Sequence, residues 1–299
     1  MDLFDFGKTW ELITELEGVQ TALLAAAILG LVAGVLGPLI VMRRMSFAVH
    51  GTSELAFTGG AAALLLGIGV EYGALIGAVV AALLLGILGA RDADRDSVIG
   101  VILSFGLGMG VLFLSFYKGR SGNKFGILTG QIITIDSTNL TLFVVSSVVV
   151  LAVLALVYRP LLFASVDRNV AVARGVPVKT LTVVFALLVG ISTALSVKVV
   201  GSLLVVALMV TPAAAAARVT ASPWKATVLS IVFAEVSALG GIVLSLAPGL
   251  PVSAFVTAIS FLIYVVCRVI AWQRDRRTRV RAVASAAELA PTVKSGTFT

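Results

Sequence analysis

Charge is scarce in this chain, and histidine and cysteine are scarcer still. Asp, Glu, Lys and Arg make up 12% of the residues, against about 25% in an ordinary soluble domain. There is one cysteine, Cys267, and one histidine, His50, in 299 residues. A lone cysteine forms no intrachain disulfide, and Cys267 reads as a small hydrophobe inside an apolar run. A lone histidine excludes the His-Glu-x-x-His pattern of a zinc protease. Gly7-Lys8-Thr9 has the ending of a phosphate-binding loop but lacks the glycine five residues upstream, so no nucleotide site is visible. A basic leader is missing too. Residues 1–20 carry Asp2, Asp5, Glu11, Glu15 and Glu17 against Lys8, and no cleavable signal peptide is expected.

Apolar residues are abundant: 59% of the chain is hydrophobic and the mean hydropathy is +1.11. Nine apolar runs can be drawn, at 21–42, 47–69, 71–90, 97–117, 140–158, 180–198, 199–217, 226–246 and 251–271. Most reach the roughly 20 residues a helix needs to cross a bilayer. They are continuously apolar rather than alternating, which selects helices over barrel strands. The expected fold is therefore an all-α polytopic membrane protein with about nine transmembrane helices. The membrane domain covers 21–271, preceded by a short segment 1–20 outside the membrane. Residues 272–299 are basic, then rich in Ala, Ser, Thr and Gly, and are expected to be largely disordered. Gly201 and Pro212 allow the seventh span to be shorter, broken or partly re-entrant. Residues 117–139 form an outer connection whose second half is apolar enough to dip into the membrane edge.

The net charge is +7 with a pI near 9.9. The positive residues sit between the apolar runs, so they read as topology signals rather than a nucleic-acid surface. With the N-terminus outside, nine spans put Arg43, Arg44, Arg91, Arg95, Arg159, Arg168, Arg174, Lys179, Arg218, Lys225 and the C-terminal arginines on the inner side. Lys8, Lys118, Arg120, Lys124 and Lys198 are left outside. The asymmetry predicts an outside N-terminus and a cytoplasmic C-terminus.

Against this apolar background, His50 and Glu54 stand one helical turn apart within the second span. Positions i and i+4 share a helix face, and ionisable groups in a bilayer usually face a pathway or a bundle interior. An imidazole and a carboxylate together suit zinc, manganese or iron(II). Two donors are too few for a site, and a symmetric dimer would bring two pairs to one axis. The competing reading is a His–Glu ion pair that only joins helices. Glu235 is a second intramembrane carboxylate, either lining the same path or hydrogen-bonded to a neighbouring helix. On the inner side, residues 159–179 contain one short helix. Asp167 serves as its N-cap, and Gly175 then Pro177 as its stop. Arg168 and Arg174 flank it, so it is a docking element for a soluble partner or an ordinary loop.

Five stretches carry a resemblance. They are 37–47 (GPLIVMRRMSF), 96–110 (DSVIGVILSFGLGMG), 125–129 (FGILT), 173–178 (ARGVPV) and 200–213 (VGSLLVVALMVTPA). Together they resemble the metal-ion permeases of bacterial ABC importers, the family serving zinc, manganese and iron uptake, from about residue 20 to 270. The resemblance implies a multi-pass permease in the bacterial inner (plasma) membrane, working as a homodimer. It implies two ABC ATPase subunits docking at Asp167, Arg168, Arg174 and Gly175, and an extracytoplasmic metal-binding protein. Zinc or manganese would be cargo held in transit rather than a resident cofactor, and the chain itself would not be an enzyme. One departure is evident. The family commonly places Asp, then His four residues later, where this chain has His50 and then Glu54. The order is inverted but the donor set is kept. Two rival readings remain. A proton-coupled secondary transporter would use Glu54 and Glu235, though the internal repeats typical of that class are not clear here. An ABC permease for a metal chelate such as cobalamin or a siderophore would not need the paired ligands.

Overall fold

A computed structural model describes residues 6–88, 95–119, 137–200, 205–246, 248 and 250–289. Among the described residues the chain is entirely helical: α1 Phe6–Glu15, α2 Glu17–Met42, α3 Ser46–Leu66, α4 Val70–Leu88, α5 Arg95–Phe116, α6 Ser137–Val166, α7 Arg168–Ala173, α8 Val178–Val200, α9 Val205–Met209, α10 Thr211–Val219, α11 Pro223–Leu246 and α12 Val252–Leu289.

Six of these helices are long and apolar enough to cross a membrane: α2, α5, α6, α8, α11 and α12. The all-α membrane architecture is as expected, but nine crossings do not follow from length and composition. Helix α4 is apolar over the shorter stretch Val70–Gly86, and the seventh expected span is divided into α9 and α10. Helix α3 fails on apolarity because His50, Glu54 and several Ser, Thr and Gly residues dilute it. Instead, α3 is walled in by α4, α5 and α8 and buries twelve of its side chains or glycines. A helix sheathed by other helices has no need to be lipophilic.

Burial of such a polar helix requires its hydroxyls to be satisfied internally. Thr52 donates to the Ala48 carbonyl at 2.7 Å, Ser53 to that of His50 at 2.7 Å, and Thr58 to that of Glu54 at 2.8 Å. Close packing comes from small residues, as is usual where lipid offers no hydrophobic drive for helix association. A Cβ on Gly59 of α3 would collide with the Gly73 carbonyl of α4, and one on Gly77 with the Leu55 carbonyl. Neither backbone can yield without separating the helices. Gly59→Leu is therefore expected to destabilise the protein by about 3 kcal/mol or more, seen as a lowered thermal midpoint in detergent. An unchanged midpoint would contradict this packing.

A second group forms around α2, which packs on α11, α6, α10 and α8. At the heart of the bundle lies the interrupted segment. Helix α9 has only five residues, with Val205, Leu208 and Met209 fully buried, and it touches α2, α3, α8, α10, α11 and α12. The break falls at Val210, and Pro212 lies in the first turn of α10, where its missing N–H is not needed. Ser260 of α12 donates to the Ala207 carbonyl at 2.8 Å, and Thr193 of α8 reaches the Met209 sulfur at 3.8 Å.

Two boundaries differ from expectation. Helix α6 does not stop near 158 but runs through Pro160 to Val166, so much of the expected inner segment 159–179 is helical. Helix α12 does not end at 271. It continues to Leu289, where disorder was expected, because the Arg- and Ala-rich sequence there is a good helix former. The apolar half of the connection 117–139 falls mostly outside the described residues, as do residues 290–299.

Candidate functional site

Helix α3 starts directly after the turn that ends α2, and its second turn carries His50. Glu54 follows one turn on and is 2% exposed, whereas His50 is half-buried. Helix α5 closes over the carboxylate's backbone. A Cβ on Gly106 would stand 3.2 Å from the Glu54 carbonyl carbon and Cβ. The Thr58 hydroxyl shares its one hydrogen between the Glu54 carbonyl and the Gly106 carbonyl, clamping the two helices at the level of Glu54.

Buried polar atoms nearly always find partners, yet His50 Nδ1 and Glu54 Oε2 have none among the described residues. Nor does any ion pair among these residues involve either side chain. The competing reading of the pair as a helix-joining ion pair thus lacks its central contact. An unsatisfied buried acceptor costs about 1–3 kcal/mol. Here an imidazole nitrogen and a carboxylate oxygen, one turn apart, are both left without a protein partner. That donor set can offer two bonds to a divalent cation. Among the described residues, no group of three or more His, Cys, Asp or Glu side chains could hold a metal, so these residues by themselves do not close a coordination shell.

Glu235 is not brought into a three-donor cluster with the pair. It lies half-buried on α11, with its carboxylate against Gly30 of α2, where a Cβ would be 3.0 Å from Cδ and Oε1. The local reading of the 167–177 segment matches the structure. Asp167 caps α7, accepting from the Val170 amide at 3.0 Å. Gly175 takes the left-handed conformation at φ 78°, and its amide and that of Val176 bond back to Val172 and Ala171 at 3.0 Å. Ala171 is buried, while Val170 (44% exposed), Val172 (57%), Arg168 and Arg174 are exposed. A short helix firmly capped at both ends, with valines and arginines exposed, is suited to receive another protein.

The profile of the ABC 3 transport family matches residues 15–271. The chain belongs to that family. Among its curated relatives is the manganese transport system membrane protein MntC of Listeria monocytogenes, 31% identical over 251 residues, covering 82% of this chain and 89% of the relative. The high-affinity zinc uptake system membrane protein ZnuB of Haemophilus influenzae is 28% identical over 229 residues, covering 75% and 86%. The solved structure of PsaBC from Streptococcus pneumoniae in complex with Fab shares the fold, with a TM-score of 0.79 at 24% identity, covering 88% of this chain and 95% of that one.

This ABC 3 family chain is thus a multi-pass membrane protein whose polar helix α3 is enclosed by its neighbours. Two residues that shape the site, Thr58 and Gly106, were not singled out from sequence. A glycine in an apolar span says nothing about which helix lies against it, and the two positions are 48 residues apart.

Proposed function

We propose that this chain is the permease subunit of an ATP-driven importer of a divalent transition-metal ion, manganese or zinc, and that it works as a homodimer. The observation that carries the reading is the pair of buried, unpartnered donors on α3, His50 Nδ1 and Glu54 Oε2, in a chain of a transport family whose relatives include proteins named for manganese and zinc transport. Two protomers facing each other would supply four donors from two imidazoles and two carboxylates. The resulting shell would be open enough to release its cargo, as conduction demands. An extracytoplasmic binding protein would deliver the ion. Separate ATPase subunits would engage α7 through Arg168, Arg174 and the exposed valines, with Asp167 and Gly175 holding the helix in shape. This chain would then carry no hydrolytic chemistry of its own. Counted on nine crossings, the charge asymmetry between the connecting segments would put the N-terminus outside and the C-terminus in the cytoplasm, in a bacterial inner membrane. Family membership favours ATP-driven transport over proton coupling.

The test is uptake. Expressed with its ATPase and binding protein in a strain stripped of its own systems, the chain should restore metal-limited growth and accumulate labelled manganese or zinc. Absence of rescue by any first-row divalent cation would overturn the reading.

A further inference from the structure

We propose that Arg43 is the positioning residue that makes the α2–α3 corner move with the docking helix; this rests on the reading that α7 receives the ATPase. The corner is tight. Arg43 caps α2, its amide bonding to the Leu39 carbonyl at 3.0 Å. Arg44 follows in the left-handed region at φ 54°, with its amide on the Val41 carbonyl at 3.1 Å and the Met45 amide on that of Ile40 at 2.9 Å. This is a Schellman closure with arginine where glycine is usual, a substitution that costs about 1–2 kcal/mol. Only Arg43, Arg44 and Met45 separate α2 from α3, so the corner has no slack to absorb a displacement. His50 lies about one turn further along.

The guanidinium reaches across to both helices that hold α7. Nη1 donates to Ser165 Oγ at 3.4 Å, in the last turn of α6. Nη2 donates to Thr182 Oγ1 at 3.0 Å, near the start of α8. Its carbon lies 5.3 Å from the centroid of the Phe185 ring. Each hydroxyl spends its own hydrogen within its helix, Ser165 on Leu161 and Thr182 on Val178, so both meet Arg43 as acceptors. The α6–α7–α8 connection is itself continuously hydrogen-bonded: Asp167 N to Phe163 O, Val176 N to Ala171 O, and Leu181 N to Pro177 O. A push on α7 thus reaches Ser165 and Thr182 directly, and through one planar group it reaches the corner that starts the His50 helix. Lysine would keep the charge, but its single nitrogen cannot reproduce a fork across two helices and a ring.

The test uses the complete transporter in proteoliposomes, with R43K, R43M and the double variant S165A/T182V, which leaves Arg43 in place. The quantity read is metal imported per ATP hydrolysed. All three variants should retain the ATPase and hydrolyse ATP, while uptake per ATP falls about tenfold, the scale of a modest coupling free energy. R43K should fail along with R43M. A residue serving only stability would lower uptake and hydrolysis together and leave their ratio unchanged; that result overturns the proposal. If R43M does not assemble, S165A/T182V decides by the same ratio. If R168E/R174E leaves the ATPase bound, the docking reading fails and takes this proposal with it. Intact docking with a normal ratio overturns this proposal alone.

Discussion

Replacing His50 and Glu54 together with alanine should abolish metal uptake without destabilising the permease. The two halves of this outcome come from the same observation. His50 Nδ1 and Glu54 Oε2 take no part in the hydrogen bonding that holds α3, which is supplied by Thr52, Ser53 and Thr58. Truncation therefore removes no hydrogen bond made by those two atoms, and what is lost is the packing of the buried Glu54 side chain. Taking away an unsatisfied buried acceptor relieves a penalty of about 1–3 kcal/mol, so the thermal midpoint in detergent should stay level or rise. Transport should collapse, because loss of outer-shell partners alone lowers metal affinity by about 10–100-fold and loss of ligands lowers it at least as much. Labelled-ion uptake and a melting curve on the same preparation make the check. Preserved uptake would remove the assignment of these residues. A collapsed midpoint would return the pair to a structural role.

The second large effect is expected at α7. Charge reversal at Arg168 and Arg174 should release the ATPase while the permease stays folded. The helix is set by the Asp167 side chain and the left-handed Gly175, neither of which is altered. A glutamate at 168 sits in the first turn, where the helix dipole favours it, and one at 174 costs no more than about 1 kcal/mol. In the proposed docking the two arginines would pair with acidic groups of the ATPase, and there the change is larger. Losing a hydrogen-bonded charge pair costs about 2 kcal/mol or more, so association should weaken at least about thirtyfold. Pull-down from membranes and ATP-dependent uptake would both read it. Full retention of the ATPase on the doubly reversed chain would count against docking at α7.

Legibility in the sequence followed range. The Asp167–Gly175 helix could be read because its cap and its stop lie within nine residues and bond to their own neighbourhood. Pro212 announced the break before α10 for the same reason. Helix α3 was found as a span, and its ionisable pair was read as facing a pathway or a bundle interior; which helices enclose it was not legible. In the structure its polarity is the mark of a helix surrounded by others. The tail beyond 271 was judged on polarity, which speaks against a core yet does not forbid a helix, and helix propensity carried α12 to Leu289. The Arg43 bridge to Thr182, 139 residues away, was beyond reach. Arg43 was counted as a topology signal, and nothing local distinguishes a membrane-flanking arginine from one that joins three helices.

The interruption at Val210 restricts how the molecule can change shape. Free backbone groups at bilayer depth are tolerated only when clad by protein, and here a serine from α12 occupies one of the carbonyls of α9. Peeling α12 off would leave the Ala207 carbonyl bare in hydrocarbon, while Val210 keeps its own bonds to Val206 and Ala214. A movement that keeps that carbonyl bonded is one in which α9 and α12 travel together.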